Sequence, residues 1–152
     1  MKVVKGDLLK LAENGQFDVI IHGCNCFHTM GAGIARQISV KYPEAFEADL
    51  FTLKGSREKL GMFSTALIQY RVQFPFVIIN AYTQFDYNAS KKPVDYSAIR
   101  EAFRKIKQIF GNCRIGYPMI GAGLAGGDWS IISTIIDEEL EGCNHTLVEY
   151  QP

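Results

Sequence analysis

The sequence has no excess of charge of either sign, since sixteen Lys and Arg residues balance sixteen Asp and Glu residues. It therefore lacks the basic surface of a general nucleic-acid binder or of a protein that lies on anionic membranes. Long apolar runs are absent too, because none approaches the ~18 residues of a membrane span. Residues 1–7 contain no apolar segment of the signal-peptide kind. We expect a cytoplasmic protein with no membrane partner and no general affinity for nucleic acid.

Cysteine is scarce, with only four residues in a chain of 152. A domain of this length buries a sizeable core without disulfide bonds, so Cys24, Cys26, Cys113 and Cys143 are expected to be free thiols. The composition, 47% hydrophobic and 21% charged, is that of a globular protein. No linker-like segment interrupts the sequence, so we expect residues 1–152 to form one domain.

Glycine is concentrated in two loops that each follow an apolar strand and lead into a helix. The first loop, residues 31–33, follows a strand predicted at 18–23, and the second, residues 121–127, follows one predicted at 114–120. Such loops leave backbone N–H groups free beside the positive end of a helix, where an anion binds. Two of them predict a diphosphate held between the loops. The alternative for each loop is a tight turn without a ligand.

The remaining pattern mixes strands and helices along the whole chain. It predicts an α/β fold, a three-layer α/β/α sandwich with a mixed central sheet. Only a short turn separates strands 61–69 and 76–81, so these should pair antiparallel. Residues 83–93 follow a strand without any periodicity and are a plausible wall of a site. Further strands are expected at 2–5 and 146–150, and helices at 8–11, 33–41, 44–51, 95–110 and 129–141.

Two familiar motifs fit this chain poorly. Gly121 to Gly126 matches G-x-G-x-x-G, but no strand ending in an acid follows about twenty residues later, as a dinucleotide fold requires. His22, Cys24, Cys26 and His28 alternate, yet ligands spaced by two residues do not readily surround one tetrahedral ion. We therefore expect no bound metal and no cofactor.

Four polar residues near the loops are candidates for chemistry. His22 or His28 would handle a proton, Asn25 would orient a sugar hydroxyl, and Asp128 would serve as a base if an anionic site raised its pKa. Each has a structural alternative: a hydrogen-bonded core histidine, an Asx-turn at Asn25, and a helix N-cap at Asp128. Asp7, after the first strand, would accept from an exocyclic amine or simply close a turn.

Four stretches together resemble the macro domain family, in order and over nearly the whole length. They are Val-Lys-Gly-Asp-Leu-Leu at 4–9, Val-Ile-Ile-His-Gly-Cys-Asn-Cys at 19–26, Met-Gly-Ala-Gly-Ile-Ala at 30–35, and Pro-Met-Ile-Gly-Ala-Gly-Leu-Ala-Gly-Gly-Asp-Trp at 118–129. Within that family the chain is most similar to the group of ADP-ribose-1″-phosphate phosphatases and terminal ADP-ribose protein glycohydrolases.

The resemblance implies a pocket for ADP-ribose or one of its derivatives. Asp7 would bind the adenine amine, Tyr150 would border the adenine, Asn25 would approach the distal ribose, and His22 matches the histidine implicated in the phosphatase members. The other implied ligand-binding residues are Leu8, Gly31, Ala32, Gly33 and Ile34 on one side, and Ile120, Gly121, Ala122, Gly123, Leu124 and Ala125 on the other.

The chain departs from the glycohydrolase pattern at two positions. Those members carry an aspartate after Gly-x-Gly-Leu, where this chain has Ala125, and a lysine after the central strand, where no lysine occurs before Lys91. We therefore expect hydrolysis of a group from the terminal ribose, with ADP-ribose-1″-phosphate as the leading substrate. The alternatives are removal of ADP-ribosyl groups from protein or nucleic acid, deacetylation of O-acetyl-ADP-ribose, and a non-catalytic reader of ADP-ribose on a modified macromolecule.

Overall fold

A six-stranded mixed sheet forms the middle layer of the computed structural model, which describes residues 1–152. Its order is β1-β6-β5-β2-β4-β3, and every neighbouring pair is parallel except β3 and β4. The antiparallel pairing predicted for the hairpin is therefore confirmed. The strands are β1 (Lys2–Gly6), β2 (Val19–Cys24), β3 (Phe63–Ile68), β4 (Phe76–Tyr82), β5 (Arg114–Tyr117) and β6 (Asn144–Tyr150).

Helices cover both faces of this sheet, which confirms the predicted three-layer α/β/α sandwich. The helices are α1 (Leu8–Glu13), α2 (Gly33–Lys41), α3 (Pro43–Leu50), α4 (Tyr96–Phe110) and α5 (Trp129–Glu139). Side chains of α4 and α5 pack in one core against the sheet, and side chains of α1, α2 and α3 pack in a second core on the other face. No helix is both long and apolar enough to span a bilayer.

The central strand β2 is buried on both faces because its apolar residues run without alternation. Ile20 belongs to the core under α1 to α3, whereas Ile21 belongs to the core under α4 and α5, and each side chain is at most 1% exposed. This is the sequence pattern of a parallel strand covered by helices on both sides. It fixes β2 in the middle of the molecule.

The strand predicted at residues 114–120 is shorter in the structure and ends at Tyr117. Pro118 follows, and a proline has no N–H to continue the ladder of hydrogen bonds. Residues 118–120 therefore belong to the loop that follows β5. That loop lies beside the loop after β2, because the two strands are parallel neighbours and their carboxyl ends share one edge of the sheet.

Candidate functional site

A cavity of about 400 Å³ lies between the two glycine loops at the carboxyl ends of β2 and β5. We call it the loop cavity. The loop after β2 and the start of α2 supply one wall, the loop after β5 supplies the opposite wall, and the segment after β4 supplies a third. The lining residues are Gly23, Cys24, Asn25, Thr29, Gly31, Ala32, Gly33, Ile34 and Ala35, then Gly121, Gly123, Leu124 and Ala125, then Gln84 and Tyr87.

Backbone N–H groups without a protein acceptor are concentrated on the two facing walls. Five consecutive residues, 31–35, form one such set at the start of α2, where the first turn of a helix has no internal acceptors. Gly121, Gly123, Leu124 and Ala125 form the other set. Donors from two sides converging on one cavity suit a group with several anionic oxygens, such as a diphosphate.

Glycine is required by the backbone at one position in each wall. Gly33 has φ +57 and Gly121 has φ +75, both in the left-handed region that other residues rarely adopt. A Cβ at Gly121 would also lie 3.0 Å from Val94 Cγ2 and 3.1 Å from Ile132 Cδ1. Gly123 differs, because its φ is ordinary and a Cβ built there meets no atom within 4 Å. The fold therefore does not require glycine at position 123, although Gly123 lines the cavity.

No lysine or arginine lines the loop cavity. Attraction for an anion there comes from oriented amide dipoles and from the positive end of α2. This agrees with a chain whose net charge is zero.

A second cavity of about 300 Å³, which we call the outer cavity, lies next to the loop cavity. Gly33 and Ile34 line both. The outer cavity lies at the carboxyl ends of β1, β5 and β6 and is otherwise lined by Gly6, Asp7, Leu8, Leu9, Gln37, Pro118, Val148 and Tyr150. The two cavities are therefore neighbours, and we refer to them together as the joined cleft.

Asp7 is the one acidic group of the outer cavity, and only part of it is used by the fold. Its Oδ1 caps α1 by accepting the N–H groups of Leu9 at 3.0 Å and Lys10 at 3.2 Å. Its Oδ2 has no hydrogen-bond partner in the protein. Leu8 and the exposed ring of Tyr150 supply apolar surface nearby. The cavity therefore suits a flat, largely apolar group that carries an N–H donor.

Asn25 lines the loop cavity while closing its own loop. Its Oδ1 accepts the N–H of Phe27 at 2.8 Å, and its Nδ2 donates to the carbonyl oxygen of Thr29 at 2.9 Å. This is the Asx-turn named above as the structural alternative. One N–H of the amide stays free, so the side chain can also donate to a group in the cavity.

His22 is buried and lines neither cavity, and its handling of a proton stays a prediction. Its side chain is 1% exposed, and its Nε2 donates to Asn80 Oδ1 at 2.6 Å. Burial lowers the pKa of His22 because the charged imidazolium loses its hydration. It points into the face of the sheet covered by α3, since Asn80 in turn donates to the carbonyl oxygen of Ala45.

His28 and Asp128 also line neither cavity of the joined cleft. His28 Nε2 lies 2.8 Å from the carbonyl oxygen of Thr52, so the ring is tied to the segment after α3. Asp128 caps α5, accepting the N–H of Ser130 at 2.9 Å and its hydroxyl at 2.7 Å. These hydrogen bonds lower the pKa of Asp128, whereas a role as a base required a raised pKa.

Two further predicted contacts do not line either cavity. Ile120 is 3% exposed and packs into the core beneath the loop after β5. The N–H of Ala122 donates to the carbonyl oxygen of Met119, so it is used within the loop. The alternating set of His22, Cys24, Cys26 and His28 does not converge either, and no group of three or more His, Cys, Asp or Glu residues could share an ion.

Several lining residues were not singled out from the sequence. Gln84 and Tyr87 come from the segment 83–93, which was predicted as a wall without naming its side chains. Cys24 and Ala35 lie within stretches that resemble the macro domain family but are not among the contacts that the resemblance implies, and Thr29 lies outside those stretches.

Thr83 lies beneath the cavity floor and carries the one buried side-chain nitrogen or oxygen atom without a hydrogen-bond partner. Its Oγ1 lies 2.7 Å from the point where a Cβ on Gly23 would stand, so Gly23 makes room for it. Nothing in the sequence indicates this arrangement, because it depends on the register between β2 and β4.

Comparison with known proteins adds independent findings. The model of the Macro domain family matches residues 21–136. The chain is 35% identical, over 100% of its own length and 97% of the other's, to an uncharacterized 17.5 kDa protein from the tk-vs intergenic region of Enterobacteria phage T4. A Bacteroides thetaiotaomicron protein of unknown function has the same fold, with a TM-score of 0.78 at 23% identity, covering 97% and 96% of the two chains. Thermosipho africanus DarTG, solved in complex with ADP-ribose, matches with a TM-score of 0.69 at 16% identity, covering 100% of this chain and 42% of that one.

Proposed function

Because this chain belongs to the macro domain family, we propose that it binds ADP-ribose in the joined cleft. One observation carries the proposal: two facing sets of unpartnered backbone N–H groups line a cavity that shares a wall with a second, more apolar one. A structurally similar protein, Thermosipho africanus DarTG, has been solved in complex with ADP-ribose, which supports the same ligand here.

In this proposal each part of the ligand has a matching part of the cleft. Adenine lies in the outer cavity, where its amine donates to Asp7 Oδ2 and its ring stacks on Tyr150. The diphosphate lies between Gly33 and Gly123 and accepts from the free amides. The distal ribose then extends toward Asn25, which donates to a hydroxyl.

A titration with ADP-ribose, ADP, AMP and NAD, followed by calorimetry, tests this proposal. ADP-ribose should bind most tightly, because it alone fills both cavities and ends in a free distal ribose. Binding of NAD at least as strong as that of ADP-ribose would instead identify an ordinary dinucleotide site. Equal affinity for AMP would show that the diphosphate makes no contact with the loops.

We further infer that the protein hydrolyses a group from the terminal ribose, with ADP-ribose-1″-phosphate as the leading substrate. Water would add to phosphorus, the bond from phosphorus to the 1″ oxygen would break, and ADP-ribose and inorganic phosphate would leave. Free amides of the two loops that do not hold the diphosphate would stabilise the negative charge that develops on the phosphoryl oxygens. Asn25 would hold the ribose in place. An ADP-ribosyl ester or an O-acetyl group at the same end would be cleaved in the same cavity.

A non-catalytic reader of ADP-ribose is the second candidate, and a specific observation favours it. His22, His28 and Asp128 all make hydrogen bonds within the protein, and none of them lines the cleft. Phosphate release from ADP-ribose-1″-phosphate, measured beside its affinity, separates the two. Turnover supports the hydrolase, whereas tight binding without phosphate release identifies the reader.

A further inference from the structure

A third cavity, of about 370 Å³, lies between α1 and α2 next to the outer cavity. We call it the basic groove, because Lys10, Arg36 and Lys41 line it together with Asp7, Leu9 and Gln37. Asp7 is the only acidic residue among the lining side chains, so positive charge predominates around this cavity.

Arg36 has no partner within the protein, unlike the other five arginines. Four of those make ion pairs with carboxylates, and the fifth stacks on the ring of Phe85. Lys10 makes no ion pair either, whereas Lys41 contacts Glu13 at 2.8 Å. The groove thus presents a guanidinium and an ammonium group that are both free to bind an anion. Arginine is especially suited to phosphate, because its planar fork donates two parallel hydrogen bonds.

Asp7, Leu9 and Gln37 line the basic groove and the outer cavity alike. The groove therefore begins where the proposed adenosine site ends. A neutral extension of the adenosine would gain nothing from these cations. An extension that carries a phosphate would meet two unpaired positive groups.

We propose that the basic groove binds a phosphate carried by the adenosine ribose of an ADP-ribose ligand. This inference rests on the proposed function, since it needs adenosine in the outer cavity. The phosphate has two chemical sources: a monoester on the adenosine ribose, or the next diphosphate of an ADP-ribose polymer joined through that ribose. In both cases the preferred ligand is ADP-ribose with further phosphate at its adenosine end.

Calorimetry with ADP-ribose, 2′-phospho-ADP-ribose and a short ADP-ribose oligomer, at low salt, tests the proposal. At least one of the two extended ligands should bind about tenfold more tightly than ADP-ribose, the gain expected of charge-assisted hydrogen bonds. If only 2′-phospho-ADP-ribose binds more tightly than ADP-ribose, the groove binds a phosphate monoester. If only the oligomer binds more tightly, the groove binds the next diphosphate of a polymer.

Variants of the lining residues test whether the basic groove causes the tighter binding of the extended ligands. Arg36→Gln and Lys10→Gln should remove the advantage of the extended ligand while leaving the affinity for ADP-ribose unchanged, because neither side chain lines the loop cavity or the outer cavity. Lys54→Gln removes the same charge from an exposed site outside all three cavities and should retain the advantage.

Equal affinities in the wild type, or an advantage that persists in Arg36→Gln combined with Lys10→Gln, would overturn the proposal for the groove alone. Failure of ADP-ribose itself to bind would instead overturn the proposed function, and the groove's role with it.

Discussion

At the scale of single residues, Asp7 serves the fold and the proposed ligand with different atoms. Asp7→Asn keeps an oxygen for the N-cap, since asparagine caps helices as well as aspartate does, but it places an amide where adenine's amine must donate. We expect about a tenfold loss of affinity for ADP-ribose and little change in melting temperature. Asp7→Ala should lose both the affinity for ADP-ribose and the N-cap of α1, and loss of the cap should lower the free energy of unfolding by about 1 kcal/mol. Unchanged affinity for ADP-ribose in Asp7→Asn would show that Asp7 does not bind the adenine amine.

Thr83 carries a buried hydroxyl that no protein atom satisfies. Thr83→Val replaces it by a methyl group of the same shape, so the free energy of unfolding should rise by about 1 kcal/mol. Ser64→Ala is the matched control. Its hydroxyl accepts from Asn80 Nδ2 at 3.0 Å, and its loss should lower stability by about 1–3 kcal/mol. Urea unfolding measures both. A loss of stability in Thr83→Val would mean that the hydroxyl has a partner, such as a bound water.

The pKa of His22 is lowered by burial, which gives its effect on stability a definite sign. Above the unfolded pKa of about 6.5 both states hold a neutral ring, and His22 costs nothing. Below it the unfolded chain takes up a proton that the folded state resists, so stability falls as the pH falls.

His22→Gln should reduce the loss of unfolding free energy between pH 7.5 and pH 5.5, because glutamine does not titrate. Part of the pH dependence should remain, since the pKa of His145 is also lowered. Urea titrations at the two pH values measure the difference. An undiminished pH dependence would mean that His22 is protonated in the folded protein.

At the scale of elements, two glycines of the loop after β5 contribute differently to stability. Gly121→Ala should lower the free energy of unfolding by about 1–2 kcal/mol, because its φ of +75 is left-handed and Val94 and Ile132 crowd the new methyl group. Gly123→Ala should change it by less than about 0.5 kcal/mol, since neither strain nor contact arises. Thermal unfolding of the two variants makes the comparison. Equal losses would mean that Gly123 also supports the loop.

The sequence predicts elements well where local chemistry decides their limits. The start of α2 at Gly33, the Pro43 break before α3 and the β3–β4 hairpin all follow from residues within a few positions. The end of β5 is predicted wrongly, because the apolar residues continue past Pro118. The hydrogen bonds between the strands stop there, since proline has no backbone N–H to donate.

Side-chain direction at the site is what the sequence leaves open. In β2, Ile20 and His22 share one face and Ile21 and Gly23 the other, but both faces are buried, so no alternation marks the face that opens to the cavity. The sequence therefore does not show that the His22 side chain is buried away from the cavity, whereas the order strand, glycine loop, helix predicts the free backbone N–H groups.

At the scale of the whole molecule, the cleft results from the parallel pairing of β2 with β5. The pairing sets the two loops face to face, and the end of β1 beside β6 extends the cleft toward Asp7 and Tyr150. Each loop alone is a turn with unpaired amides. Only the sheet topology brings the two loops to opposite sides of one cavity.

The most direct measurement is the affinity for ADP-ribose of a series at Gly123, with alanine, valine and isoleucine in turn. The side chain enters the space between the loops without disturbing the fold, so the account predicts a stepwise loss that reaches at least about tenfold at valine, with the melting temperature unchanged. Undiminished affinity across the folded series would contradict the claim that main-chain amides of the two loops hold the diphosphate.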